Sequence, residues 1–370
     1  MEQQLSNRQI VLIGSSLVLN TTLISAPMLM TKAASQSAIF GYVLPLLVVG
    51  LCWLLLARTM ARYPGRDLFQ AMTTRFGKLG KLVIIAYGGY FFLILTRDMR
   101  SIVDFVSYSL LPTTPGILLA LAVGASLVFI SRGSLTAVGR MTEIYQTFLI
   151  IVICMLPFAL AKEIEINNTR PFLETGIYEI ATASFYAYGY IGELCLLPFL
   201  ITAQPYPRRA GLLGLLLGIG LLQLLIVLCM TVMNPDLTSQ TVYPNYHLIR
   251  EIRITDFLDR FDLAIVGIWL PAAIVRTSII LYLICRAVVR VVPQMDEALT
   301  AAPVALAAVV GSIWFYESYL QLMGMMKRWP LITVLFTGLM PVLLYLFLRP
   351  KKAGSSSGKH KPKASGHSSI

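Results

Sequence analysis

Residues 184–198, SFYAYGYIGELCLLP, decide how the rest of the chain is read. They lie inside a long apolar segment, yet carry two glycines, three tyrosines, an acid and a proline. A carboxylate in the middle of a membrane span costs about 2.5 kcal/mol or more, so Glu193 requires a compensating environment. Gly189 and Gly192 weaken a helix just before the acid, and Pro198 lacks the N–H that would bond the Leu194 carbonyl just after it. The helix is therefore expected to be interrupted here. Loose backbone groups at membrane depth are tolerated where they line a cavity or meet a ligand, so the stretch reads as half of a small-molecule site.

The composition around this segment sets the class. Of the 370 residues, 57% are apolar and only 13% charged, and mean hydropathy is +0.74, far outside the range of soluble domains. The formal charge of +12 is spread along the loops, which reads as membrane topology and not as a nucleic-acid surface. Cys52, Cys154, Cys195, Cys229 and Cys285 all sit in apolar runs without metal-type spacing, so neither a disulfide framework nor a zinc site is expected. Met1 to Arg8 leads straight into a full-length span, so no cleavable signal is expected.

Ten apolar runs have bilayer-crossing length: 10–31, 38–57, 82–108, 116–131, 141–161, 178–203, 211–233, 263–285, 298–316 and 331–348. With the N-terminus inside, the cytoplasmic segments hold nineteen of the 30 Lys and Arg residues and the opposite segments eight, so both termini are expected in the cytoplasm. Residues 1–350 form one membrane domain on this reading. The tail 351–370, rich in Ser, Gly and Lys, cannot bury a core and is expected to be disordered.

Span 1 carries Asn20, Thr21, Thr22, Ser25 and Pro27 deep in an otherwise apolar run. One reading is a kinked helix with satisfied hydroxyls. The other is functional, because spans 1 and 6 head two sets of five whose orientations must be opposite. Paired interrupted helices in inverted repeats point to a substrate site at the membrane midplane. No residue-level repeat is visible, so this symmetry rests on span order.

Other segments extend the picture. The loop 58–81 is expected to hold a short helix from Asp67 to Arg75 that lies at the headgroups or packs on the bundle. In span 3, Arg97, Arg100, Asp104 and Tyr108 share one face, as a structural ion-paired stripe or as the wall of an entrance vestibule. Residues 247–261 are expected to form an amphipathic helix on the outer surface, with His247 a surface imidazole. Span 8 places Arg276, followed by Thr277, near the midplane, at a depth similar to Glu193. Either the two charges pair as a structural bridge, or each recognises one end of a zwitterion. No phosphate-binding glycine loop, paired metal motif or Ser/His/Asp set occurs, so no cofactor and no enzymatic activity are expected.

Six stretches together, SNRQIVLIG at 6–14, RYPGRDLFQ at 62–70, FGKLGKL at 76–82, LLPTTP at 110–115, RPF at 170–172 and GELCLLP at 192–198, resemble the spore-germination permease family. These are the B subunits of nutrient germinant receptors in endospore formers. The resemblance covers nearly all of residues 6–350. It departs at 131–145 (SRGSLTAVGRMTEIY), where relatives show a glycine–acid pair before the arginine, so no role is carried onto that segment. The resemblance implies the amino acid, polyamine and organocation transporter superfamily, with an all-α core of ten helices in two inverted five-helix repeats. It also implies an A subunit with soluble domains, a lipoprotein C subunit, and the inner membrane of the spore.

The site expected from all this receives an amino acid between broken helices 1 and 6. Its carboxylate meets backbone N–H groups around Thr21, Thr22, Ser25 and Ala26, and its other end faces Tyr188, Gly189, Tyr190 and Glu193. Arg276 and Thr277 close the pocket, behind a vestibule of Arg97, Arg100 and Asp104. A germinant-sensing subunit and a proton- or sodium-coupled amino-acid transporter would both use such a pocket.

Overall fold

A computed structural model describes residues 5–171, 175–252, 261–316 and 318–348. Among these the chain is helical throughout. The first half comprises α1 (Asn7–Leu19), α2 (Thr22–Ala34), a 3₁₀ turn (Ser35–Tyr42), α3 (Val43–Met60), α4 (Leu68–Phe76), α5 (Lys78–Ser109), α6 (Gly116–Ser131) and α7 (Leu135–Ala159). The second half comprises α8 (Ile177–Ile191), a 3₁₀ segment (Gly192–Phe199), α9 (Arg208–Leu228), the short α10 (Pro235–Gln240) and α11 (Pro244–Arg250), α12 (Phe261–Val291), α13 (Glu297–Trp314), α14 (Tyr319–Thr333) and α15 (Met340–Phe347).

Seven helical stretches among the described residues are long and apolar enough to cross a bilayer. Three of the ten expected runs are shorter or divided. Run 116–131 is the 16-residue α6, 10–31 is split between α1 and α2, and 178–203 is split between α8 and its 3₁₀ continuation. At the last two divisions the hydrogen-bond pattern changes while the backbone stays right-handed helical, with φ, ψ of −60°, −43° at Asn20, −85°, −33° at Thr21 and −54°, −23° at Gly192.

The divided segments cross one another. α2 packs on α8, while α1 packs on the 3₁₀ segment Gly192–Phe199, so the start of one pairs with the end of the other in antiparallel fashion. Two bonds mark the far side of the bundle, opposite the start of α1: Thr175 Oγ1 donates to the Ala34 carbonyl at 3.2 Å, and Glu165 N to the Thr231 carbonyl at 3.1 Å. On the near side, Lys81 Nζ donates to the Val291 carbonyl at 3.0 Å.

Helix starts follow local chemistry. Ser6 with Gln9, and Asp67 with Gln70, form reciprocal capping boxes that satisfy the first free N–H groups of α1 and α4. The loop helix is thus α4, and it packs on the bundle, with Leu68, Phe69, Ala71 and Met72 all buried. Between α4 and α5, Gly77 takes a positive φ of 57°, and a Cβ on Gly80 would strike the Met72 backbone.

Asp67 also ties α4 to α12. Fully buried, it accepts from Arg286 at 2.8 Å and Arg290 at 3.4 Å. Asp67→Asn keeps the cap but removes the charge both arginines share, with an expected cost of about 2 kcal/mol in local stability. Hydrogen exchange across residues 62–76 should accelerate by more than tenfold while α5 stays protected; unchanged exchange would show that apolar packing alone holds α4.

The expected surface helix over 247–261 falls largely on residues outside the described set. A helical turn begins earlier, at Pro244, and ends at Arg250, because Pro244 supplies a preset first-turn φ; residues 253–260 lie outside the described set, as do the Ser25 side chain and the tail. His247 is half-buried, its Nε2 3.2 Å from the Tyr108 hydroxyl, and burial with nearby Arg250 lowers its pKa.

Candidate functional site at the crossing of the divided helices

Glu193, the second residue of the 3₁₀ segment, is fully buried. Its Oε1 accepts from Arg97 at 2.8 Å, and its Oε2 pairs with Arg276. Asp98 closes the set: its Oδ1 accepts from Arg97 Nε at 3.0 Å and Nη2 at 2.6 Å, and its Oδ2 pairs with Arg276 Nη1. Two cations and two anions form a closed ring of zero net charge, with every member no more than 1% exposed. Buried charges survive in a low-dielectric interior only in such compensated groups. The Arg97 guanidinium lies 4.5 Å from the Trp329 ring centroid and 4.9 Å from that of Tyr190, adding cation–π attraction.

The ring abuts the junction of α1 and α2. Thr21 Oγ1 lies 3.5 Å from Asp98 Oδ1, and the carbonyls nearby have side-chain partners: Trp269 Nε1 donates to the Asn20 oxygen at 3.3 Å, and Asn245 Nδ2 donates to the Leu23 oxygen. Asn20 Nδ2 reaches Ser16 Oγ at 2.7 Å and Gln146 Oε1 at 3.2 Å. The junction is thus narrow and well bonded. On its far side lies a recess, almost wholly apolar, walled by Leu23, Ile24, Phe105, Tyr246, Ile265 and Trp269, with Asn245 as its polar contribution. Its cavity volume is about 40 Å³.

Several expectations change at this level. Arg97, expected in a vestibule wall, is instead part of the buried ring, because it turns inward beside Asp98 to meet Glu193. Arg100 and Asp104 do pair on the outer turns of α5, at 2.9 Å and with 17% and 16% exposure. Gly189 and Tyr188, expected to face a void, face α14. The Gly189 carbonyl accepts from Trp329 Nε1 and Thr333 Oγ1, both at 2.9 Å, and a Cβ there would sit 3.0 Å from Pro330. The Tyr188 hydroxyl meets Thr337 Oγ1 at 3.2 Å. The loosened backbone of span 6 is therefore partnered by a neighbouring helix. Thr22 Oγ1 donates back across the junction to the Val18 carbonyl of α1, Thr277 Oγ1 donates to the Ala273 carbonyl of its own helix, and Ala26 is buried.

The structure thus brings Thr21, Tyr190, Glu193 and Arg276 together with Arg97. Asp98 was passed over in the sequence, although its position beside Arg97 in an apolar span was a signal. Trp269, Trp329 and Asn245 carried no signal, since their roles depend on which carbonyls they meet. Arg97 Nη1 and Arg276 Nε are buried donors with no hydrogen-bond partner among the described residues. Spare guanidinium donors can donate further hydrogen bonds to an anionic group. No cluster of potential metal ligands occurs among the described residues.

Known proteins place this architecture. A symporter of the nucleobase-cation-symport-1 family, Mhp1, solved closed with bromovinylhydantoin bound, superposes with a TM-score of 0.65 over 93% of this chain and 79% of that one, at 12% identity. A Na⁺-coupled sialic acid symporter in a substrate-bound outward-open state gives 0.57 over 88% and 78%, also at 12% identity. These neighbours show the fold, that of transporters built from inverted repeats. In sequence, the chain is 30% identical to YfkT, named as a spore germination protein of Bacillus subtilis (strain 168), over 94% of this chain and 97% of that protein. It is 21% identical to spore germination protein KB of the same organism, over 68% and 69%. A family model described as spore germination protein matches residues 4–319, and with that coverage the chain belongs to the spore permease family of spore germination proteins.

Proposed function

We propose that this chain is the membrane subunit that senses an amino-acid nutrient in a spore germination receptor, binding it where α1/α2 meets α8 and its 3₁₀ continuation. The observation that carries the reading is the pair of unpartnered guanidinium donors, Arg97 Nη1 and Arg276 Nε, in a charge ring that touches the junction of span 1. A zwitterion has the same charge complement as half of that ring. Its carboxylate takes the free donors and its ammonium competes for Asp98 or Glu193, while its side chain enters the apolar recess. Ligand binding then exchanges ring contacts for ligand contacts, and only such a differential interaction shifts the packing of the two halves. In this reading the subunit sits in the spore inner membrane with both termini cytoplasmic, and A and C subunits carry the signal onward.

A coupled amino-acid transporter is the second reading, favoured by the fold of the solved neighbours. Vesicles holding the chain with its partner subunits separate the two. Ligand-triggered release of entrapped ions without uptake of labelled amino acid supports sensing; uptake driven by a proton or sodium gradient supports transport. Trp269→Ala should enlarge the recess and remove the donor to Asn20, raising the half-maximal ligand concentration by at least about tenfold. An unshifted dose response would place the ligand elsewhere.

A further inference from the structure

A second cavity lies at the near-side ends of the helices, where α3 stops at Met60 and α9 starts at Arg208. Tyr63, Arg66, Thr202, Gln204, Tyr206 and Arg208 are among its walls, and no acid is among them. The closest acid in sequence, Asp67, is occupied by Arg286 and Arg290. Three polar atoms in this region are buried without a hydrogen-bond partner: the Tyr63 and Tyr206 hydroxyls and Arg75 Nε. Tyr63 is only 6% exposed, and Arg75, Arg62 and Arg66 all act on its phenol, while burial raises its pKa and keeps the hydroxyl a donor.

An orphaned buried hydroxyl costs free energy that a bound acceptor recovers. Here the orphans are all able to donate, the surrounding charge is positive, and the cavity is level with the ends of the spans. Water would satisfy the hydroxyls, whereas an anion would also engage the Arg66 and Arg208 guanidinium groups in the cavity wall. Carboxylates are absent from the walls, so the missing counterpart is an anion with several acceptor oxygens. Basic pockets at this level of a membrane protein recognise the head groups of anionic lipids.

We propose that this cavity is a binding site for a phosphate group, held by Arg66 and Arg208 with the Tyr63 and Tyr206 hydroxyls donating to its oxygens. The group comes either from the headgroup of an anionic lipid or from free phosphate. The site is separate from the charge ring on α5, the 3₁₀ segment Gly192–Phe199 and α12 and does not depend on the nutrient-sensing reading.

The test uses the purified full chain in a neutral detergent. Thermal unfolding is followed while inorganic phosphate is added against chloride at equal ionic strength, and in parallel while phosphatidylglycerol is added against phosphatidylcholine. A saturable stabilisation by phosphatidylglycerol alone identifies a lipid headgroup, and one by inorganic phosphate as well identifies the free anion. Either should weaken by about tenfold or more in apparent affinity in Arg208→Ala, which alters an exposed side chain, and further in Arg208→Ala combined with Tyr63→Phe. The proposal is overturned if neither probe stabilises the protein, or if both variants bind as the parent does.

Discussion

Glu193→Gln is expected to abolish the nutrient response and to lower stability by about 3–5 kcal/mol, the cost of removing one partner from a buried ion pair. Glutamine fits the same space, so the loss is electrostatic. It leaves Arg97 and Arg276 facing only Asp98, a net positive charge in a ring whose members are at most 1% exposed. Because a poorly folded protein would also fail to respond, the informative comparison is the double variant Glu193→Gln with Arg276→Gln. That pair restores neutrality, and thermal unfolding should recover with a coupling of about 1–3 kcal/mol between the two positions. The response should not return, since the guanidinium that the ligand needs has gone. A single Glu193→Gln variant that germinates or releases ions at normal ligand concentration would remove Glu193 from the site.

Gly214→Leu should be as damaging, through packing. α1 and α9 lie against each other with Gly14 and Gly214 at the contact, where an added Cβ would be 2.8 Å from the Val11 carbonyl oxygen and 3.2 Å from Gly14 Cα. The obstacles are backbone atoms, which cannot swing aside as a side chain can. Overpacking of a well-filled core costs about 1–3 kcal/mol, and a rigid obstacle places this substitution at or above the upper end. Moving α1 also displaces Ser16 and Asn20, which fix the approach to the Thr21 junction. Little monodisperse protein should survive detergent extraction of Gly214→Leu. Gly220→Leu on the same helix meets nothing within 4 Å and should behave as the parent, so equal yields from both would refute close α1–α9 packing.

These two substitutions mark the boundary between what a linear reading reaches and what it does not. Membrane class, the apolar runs and the weak points at Thr21 and Gly192 were legible because hydropathy, helix propensity and the missing proline N–H are properties of neighbouring residues. The depth of Glu193 and Arg276 was legible too, since rise per residue converts sequence distance into position along an axis. The rotation of each helix about that axis was not. It sends Arg97 inward to Glu193 and not to an entrance wall, gives Gly189 to Trp329 and Thr333 and not to a void, and makes Asp98 the fourth member of the ring. Local sequence determined that this chain is a bundle of membrane helices with buried charge. Only the tertiary packing decided how those charges pair and which loose peptide groups are already bonded, because a buried ion's partner is set by helices whose contacts lie a hundred residues apart in the chain.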